Sequence, residues 1–452
     1  MSSIAAIDVH AELAGAKVSP LHQWLGVIMA MLTFFDGYDT FNPSYVIHFV
    51  MGPWGLKPGQ AGLLVSSGLV GFLIGAAAHG LVADRYGRRV TLLGGLWITS
   101  IFTVATALLG DSFVSFCVLR VLTGMGLGVL LPLATTYINE LAPRKVVNTF
   151  SLWGVAFGWA AGGTFAGIVG VFLTPIYGWK VLYWIGSLSI PLTVLLHFIL
   201  PESVKFLATQ GRTDEIKALL VRLRPDRAKL YEHAPLEAET VAPRRENQIA
   251  ALLTARYRRT TLTIWCAAFL SLFCIFGLTG WIPTVMMQRG ETFAASFGFG
   301  ALMQVMSFLG GLTCGYLADR RGTSRGVLAA WWALGGVAVL ALVPFNEFVV
   351  NLICVAAAGF FIIGAQFVLN NFTAGSYETS VRATGVGMML SVGRVGAILG
   401  PFVAGELVQF FHGPIAMFLA IGAAALIAAG AIASLSQDRR LTDPLEAGVL
   451  HG

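Results

Sequence analysis

The chain is 452 residues long, 56% hydrophobic and only 12% charged, with a formal net charge of +6. A soluble globular domain carries roughly 25% charged residues, and a disordered chain would lack the 31 phenylalanines and 11 tryptophans present here. Both classes are excluded, and the composition fits a chain whose solvent is itself apolar; the 53 glycines suit membrane helices whose backbones approach closely.

The first 20 residues are polar and mixed in charge, without the basic start, short apolar core and small-residue cleavage site of a signal peptide. The apolar stretch that begins near Leu21 is too long for such a core and is expected to remain as the first membrane span. About 20 mostly apolar residues cross a bilayer as a helix. By that rule spans are expected near 21–50, 59–82, 91–109, 112–139, 148–174 and 178–200, then near 260–288, 293–318, 326–344, 347–373, 382–411 and 414–435. The fold class expected is all-α, twelve transmembrane helices in two six-helix bundles. The domains are residues 1–200, a cytoplasmic linker 201–259 with a short amphipathic helix near Asp214–Leu223, and residues 260–452.

Lysine and arginine set the orientation, because cytoplasmic loops carry their excess. With the N-terminus inside, the inner segments hold Lys17; Arg85, Arg88 and Arg89; Arg144 and Lys145; Arg320, Arg321 and Arg325; Arg382; and Arg439 and Arg440. The linker adds a dozen from Lys205 to Arg259, and the outer segments hold only Lys57, Lys180 and Arg289. Both termini are therefore expected in the cytoplasm. The positive charge is explained by topology, so no nucleic-acid partner is implied. The five cysteines, Cys117, Cys266, Cys274, Cys314 and Cys354, lie in apolar stretches without a CxxC and read as small core residues. No metal site, cofactor, catalytic triad or nucleotide loop emerges, and an enzyme is not expected.

A repeat relates the halves. The segment after the second span reads Gly80-Leu-Val-Ala-Asp84-Arg85-Tyr-Gly87-Arg88-Arg89, and that after the eighth reads Gly315-Tyr-Leu-Ala-Asp319-Arg320-Arg-Gly322-Thr-Ser-Arg325. Duplicated bundles are a feature of transporter folds. The first of these loops, with Arg120-Val-Leu-Thr-Gly124, Tyr137-Ile-Asn-Glu140-Leu-Ala-Pro143 and Pro201-Glu202-Ser203, resembles the major facilitator superfamily over essentially the whole chain. The resemblance implies a gating or conformational role for Gly80, Asp84, Arg85, Gly87, Arg88, Arg89, Glu140, Asp319, Arg320 and Arg382. For Arg88 and Arg89 a plain topology signal is the alternative.

Charges within the spans are the sharper evidence, since each costs about 2.5–3.5 kcal/mol at a helix centre on insertion scales. Asp36, in Phe34-Phe35-Asp36-Gly37-Tyr38-Asp39-Thr40-Phe41-Asn42, lies about 15 residues from the inner end of the first span, roughly 22 Å at 1.5 Å per residue. Asp36 and Asp39 share a helix face. Mutual repulsion and burial both disfavour their charged forms, so either can load and release a proton, as proton coupling requires. The Asp-Gly-x-Asp pattern in a first span is similar to the aromatic acid:H⁺ symporter family, which carries benzoates, hydroxybenzoates, phenylpropanoids and some muconates into bacteria; that likeness implies that Asp36 and Asp39 are needed for transport.

Arg394 lies 12 residues after Arg382, roughly 18 Å along the helix, and either grips a substrate carboxylate with two parallel hydrogen bonds or pairs with an internal acid. Arg120 is read as pairing with a first-span aspartate, with substrate contact as the alternative. Asn42, Gln304, Asn370 and Asn371 are candidates for hydrogen bonds to a ring hydroxyl, and Tyr38, Phe35, Trp159 and Phe276 for flanking an aromatic ring. Drug antiporters of the superfamily carry a Gly-Pro in the fifth span where this chain has Gly158-Trp159. Sugar porters end with a Pro-Glu-Thr-Lys-Gly segment where it has Ser436-Gln-Asp-Arg439-Arg440. The expected function is proton-coupled uptake of a small aromatic anion across the bacterial inner membrane by a monomer in the lipid bilayer. The alternatives are another organic anion or an efflux carrier.

Overall fold

The computed structural model describes residues 7–143, 146–233, 236–237 and 248–435. Arg144, Lys145 and the 436–440 segment, used above for orientation and for the contrast with sugar porters, lie outside the described residues. Twelve long helices follow one another: α1 Pro20–Val50, α2 Pro58–Tyr86, α3 Arg88–Leu109, α4 Phe113–Leu141, α5 Thr149–Phe172, α6 Lys180–Ile199, α7 Arg258–Gln288, α8 Phe293–Arg321, α9 Ser324–Ala341, α10 Phe348–Gly375, α11 Ser380–Phe410 and α12 Ile415–Ala433. Among the described residues, eleven helices are long and apolar enough to cross a membrane, against the twelve expected. The exception is α1, whose 31 residues include Asp36, Asp39 and Asn42, and these polar groups lower its mean hydropathy. Two helices carry π-helical turns, Leu152–Phe157 within α5 and Gly359–Ile363 within α10.

By contact density the chain divides into two compact units, Met1–Thr40 with Val70–Gly163 and Leu182–Arg244, and Phe41–Leu69 with Thr164–Val181 and Arg245–Gly452. In the first unit the α1/α5 crossing is built on glycine. A Cβ added at Gly37 would stand 2.1 Å from the Trp159 carbonyl oxygen, and one at Gly162 would stand 1.9 Å from that of Phe34. Such backbone approach is the usual means of helix association in lipid, where apolar surface gains nothing by leaving its solvent. The Thr33 hydroxyl donates to the Gly154 carbonyl at 2.8 Å, within the π-helical turn of α5. In the second unit the C-terminal part of α1 runs antiparallel to the start of α8: Tyr45 meets Phe297 at 5.3 Å and His48 meets Phe293 at 6.0 Å between ring centroids. Ser66 donates to the Ile398 carbonyl of α11 at 2.7 Å, and the Trp281 indole to that of Pro401 at 2.9 Å.

The expected linker helix is present at Thr213–Leu223 and buries Ile216, Leu219, Leu220 and Leu223, the i, i+3, i+4, i+7 face of an amphipathic helix. The N-terminal segment docks beside it. Ile7–Asp8 pairs in parallel with Leu236–Glu237, a two-residue exception to an otherwise helical fold. In the following turn the Glu12 carboxylate accepts from Arg224 at 2.9 Å, from Tyr231 at 2.8 Å and from Arg227. Burial, with the Glu12 carboxylate beside it, pushes the Tyr231 hydroxyl up to about 12. A hydrogen bond to a charged group contributes about 1.5–3 kcal/mol, so Glu12→Ala should release this clasp. The expected outcome is faster amide hydrogen exchange over residues 9–14 and 224–233 with that of α3 unchanged; unaltered exchange in both segments would show that the apolar contacts alone hold them.

Candidate functional site

Asp36 and Asp39 lie one turn apart on α1 and are both fully buried in the first unit. Asp39 is held from two helices, α3 and α4, with α6 packed beside it. Its Oδ2 accepts from the Thr103 hydroxyl of α3 at 3.0 Å, its Oδ1 lies 3.8 Å from Arg120 Nη1 of α4, and its backbone carbonyl accepts from Arg120 Nη2 at 2.7 Å. Gly186 of α6 brings the backbone against this carboxylate, since a Cβ there would stand 3.5 Å from Asp39 Oδ1. The Arg120 guanidinium, 2% exposed, also lies 5.9 Å from the centre of the Tyr183 ring, and a desolvated cation over an aromatic face is a favourable contact. Tyr183 in turn packs edge-on against Phe116, at 5.8 Å. Asp36 accepts from the Thr40 hydroxyl at a long 3.4 Å. The arrangement is a buried carboxylate and a buried guanidinium in contact, a pair whose attraction survives only while both remain charged.

Other sequence candidates fall in different settings. Tyr38 is fully buried and donates to the Leu182 carbonyl at 2.8 Å, so its hydroxyl is committed to the α1/α6 contact in this structure. Asn42 is fully buried and Gln304 is 2% exposed. Asn370 accepts from Gln366 at 3.4 Å, and Gln366 itself accepts from Ser271 at 2.8 Å; Asn371 is exposed. Arg394 is half-buried on α11, one residue from Gly393, whose added Cβ would stand 2.9 Å from Leu272 of α7. Phe276 stacks on Phe41 at 6.4 Å, and Phe35 meets Phe34 edge-on at 5.5 Å.

The loop signature forms a second polar cluster, in the first unit. Gly87 has φ +97, a conformation that favours glycine, and Gly322 in the second copy of the repeat has φ +63. Arg88 lies 3.6 Å from Asp84 and 3.7 Å from Glu140, and the Arg89 backbone amide donates to Glu202 Oε1 at 3.0 Å. Ser203 donates to Glu140 by its hydroxyl and to Glu202 Oε1 by its amide, the latter at 2.8 Å. Arg85 extends over Tyr86, 5.4 Å from its ring centre, and Gly80 faces open space. In the repeat, Arg320 lies over Tyr316 at 5.5 Å, Asp319 is exposed, and Arg382 donates to the Tyr377 carbonyl at 3.4 Å.

Sequence reasoning missed Thr103, Tyr183 and Glu202 as parts of these clusters. Glu202 carried a signal in the Pro-Glu-Ser segment, whereas a threonine or tyrosine in an apolar run carries none.

The sequence profile of the Major Facilitator Superfamily matches residues 27–313. The gallate transporter of Pseudomonas putida is 35% identical over 432 residues, covering 94% of this chain and 94% of that protein. The 4-hydroxybenzoate transporter PcaK of Pseudomonas aeruginosa is 32% identical over 416 residues, covering 90% of this chain and 91% of that protein. Among solved structures, the inward open conformation of the xylose transporter XylE from E. coli matches with a TM-score of 0.73 at 16% identity, covering 94% of this chain and 99% of that one. The chain therefore belongs to the Major Facilitator Superfamily and is a multi-pass membrane transporter, not an enzyme.

Proposed function

We propose that this transporter takes up a small aromatic carboxylate together with a proton across the bacterial inner membrane by alternating access, with both termini in the cytoplasm. The observation that carries the reading is the buried contact between Asp39 and Arg120, with Asp36 one turn away. The relatives named for gallate and 4-hydroxybenzoate support the class of substrate.

The coupling follows from charge balance. Asp39 and Arg120 together are neutral. A proton on Asp39 leaves the guanidinium of Arg120 buried and uncompensated, which is costly in a low-dielectric interior. A substrate carboxylate restores neutrality and fits the planar guanidinium bidentately. Proton and anion thus enter as a neutral pair, and loss of the proton inside lets Asp39 reclaim Arg120 and expel the substrate. Arg394 is the second cation suited to hold the carboxylate, and Asp36 is the second proton acceptor. The loop cluster of Asp84, Arg88, Glu140 and Glu202 is a latch at the inner side.

Cells expressing the chain should concentrate at least one labelled acid from a panel of benzoate, hydroxybenzoates and hydroxycinnamates, and should lose that accumulation with a protonophore. Asp36→Asn and Asp39→Asn should abolish uphill uptake with the amount of protein in the membrane unchanged. Normal accumulation in either variant removes that residue from coupling, and accumulation that persists with the protonophore removes the proton.

Stability separates the pair from a mere contact. Arg120→Ala leaves a buried carboxylate uncompensated and should destabilise the protein by about 3–5 kcal/mol, whereas the Asp39→Leu/Arg120→Leu double replacement should regain most of that while remaining inactive. Thermal unfolding of the purified variants reads the difference. Equal losses in both would show that the charges do not act on one another.

A further inference from the structure

Asn42 and Gln304, buried in the second unit, carry side-chain amide atoms without hydrogen-bond partners among the described residues. Asn42 is fully buried, and neither Oδ1 nor Nδ2 has a partner; Gln304 is 2% exposed, and its Oε1 has none. Orphaned polar atoms of this kind are costly and uncommon in folded proteins, and each calls for an explanation. The backbone places the two on corresponding turns of adjacent helices. Tyr45 meets Phe297 at 5.3 Å, and a Cβ added at Gly300 would stand 2.4 Å from its hydroxyl. Because α1 and α8 run antiparallel here, Asn42, one turn before Tyr45, and Gln304, one turn after Gly300, are displaced from that contact in the same direction. Beside Asn42, Phe41 stacks on Phe276 at 6.4 Å, which supplies an aromatic wall.

The chemistry of the pair selects its ligand. An amide carries no charge and cannot neutralise a carboxylate, so these residues do not serve the anionic end of a substrate. It presents a donor and an acceptor, and a phenolic hydroxyl is both. One hydroxyl satisfies at most two of the three orphaned atoms; two neighbouring hydroxyls satisfy all of them.

We propose that Asn42 and Gln304 read the ring hydroxyls of the transported acid, and that the preferred substrate carries at least two. This assignment rests on the aromatic-acid reading above and adds to it the residues that discriminate among such acids.

The test is binding of benzoate, 4-hydroxybenzoate and 3,4-dihydroxybenzoate to the purified full-length protein in nanodiscs, with thermal unfolding of the empty protein measured alongside. The wild type should gain on the order of tenfold in affinity for each hydroxyl, as expected for a hydrogen bond made to an otherwise unpaired buried group. Asn42→Leu should abolish most of this preference, weakening 3,4-dihydroxybenzoate far more than benzoate, and leave the melting temperature of the empty protein equal or higher. A merely structural asparagine would lower it. Gln304→Met, of similar length, should remove part of the preference by itself and decides the matter if Asn42→Leu does not fold. Retention of the full hydroxyl preference in the variants, or equal loss of all three acids, overturns the assignment. A wild type that binds the three acids equally overturns it while leaving the aromatic-acid reading intact, and one that binds none of them overturns both.

Discussion

The buried ion pair between Asp39 and Arg120 is the constraint on which the first unit is organised. Each charge alone would be prohibitive away from water, and together they are tolerable only with good geometry and additional hydrogen bonds. The structure supplies part of these from separate helices, namely Thr103 of α3 to the carboxylate, the α1 backbone to one guanidinium nitrogen and the Tyr183 ring of α6 beside it, while Arg120 Nε and Nη1 make no hydrogen bond among the described residues. A single carboxylate therefore ties α1 to α3 and α4, with α6 packed against both partners. Under the proposed coupling, a proton on this carboxylate would disturb all of these contacts together.

The position of that carboxylate is set by backbone, not by charge. Glycines at 37 and 162 let α1 and α5 cross at distances that a methyl group would forbid. The Thr33 hydroxyl meets the Gly154 carbonyl within the π-helical turn of α5, one turn before Asp36. Helix irregularities of this type occur often at functional sites. Close glycine crossings on one side and a buried ion pair on the other thus fix α1 from two directions.

Much of this was legible in the sequence, and the failures have physical causes. Eleven spans declare themselves as apolar runs, and α1 is blurred by Asp36, Asp39 and Asn42, the residues proposed for coupling and recognition. The paired loops were visible because a turn needing positive φ preserves glycine, as Gly87 and Gly322 show. The pairing of Arg120 with a first-span aspartate was readable because a buried cation needs an anion and few are available in the spans. Thr103 was not readable. A helical threonine normally satisfies its own hydroxyl on the carbonyl four residues back, as Thr106 and Thr123 do here, so nothing in sequence separates one that reaches across to a carboxylate. Tyr38 was read as a ring contact for substrate; that its hydroxyl donates to the Leu182 carbonyl is a partner no apolar run announces.

The central claim is that substrate carboxylate and proton move together through the Asp39–Arg120 pair. The most direct measurement follows the internal pH of proteoliposomes containing the purified transporter, with a pH dye inside, when an aromatic acid gradient is imposed without an initial pH gradient. The account predicts that the lumen acidifies in step with substrate entry, beyond the rate in protein-free liposomes, and that Asp39→Asn removes this excess. Substrate entry through the transporter with no accompanying acidification would contradict it.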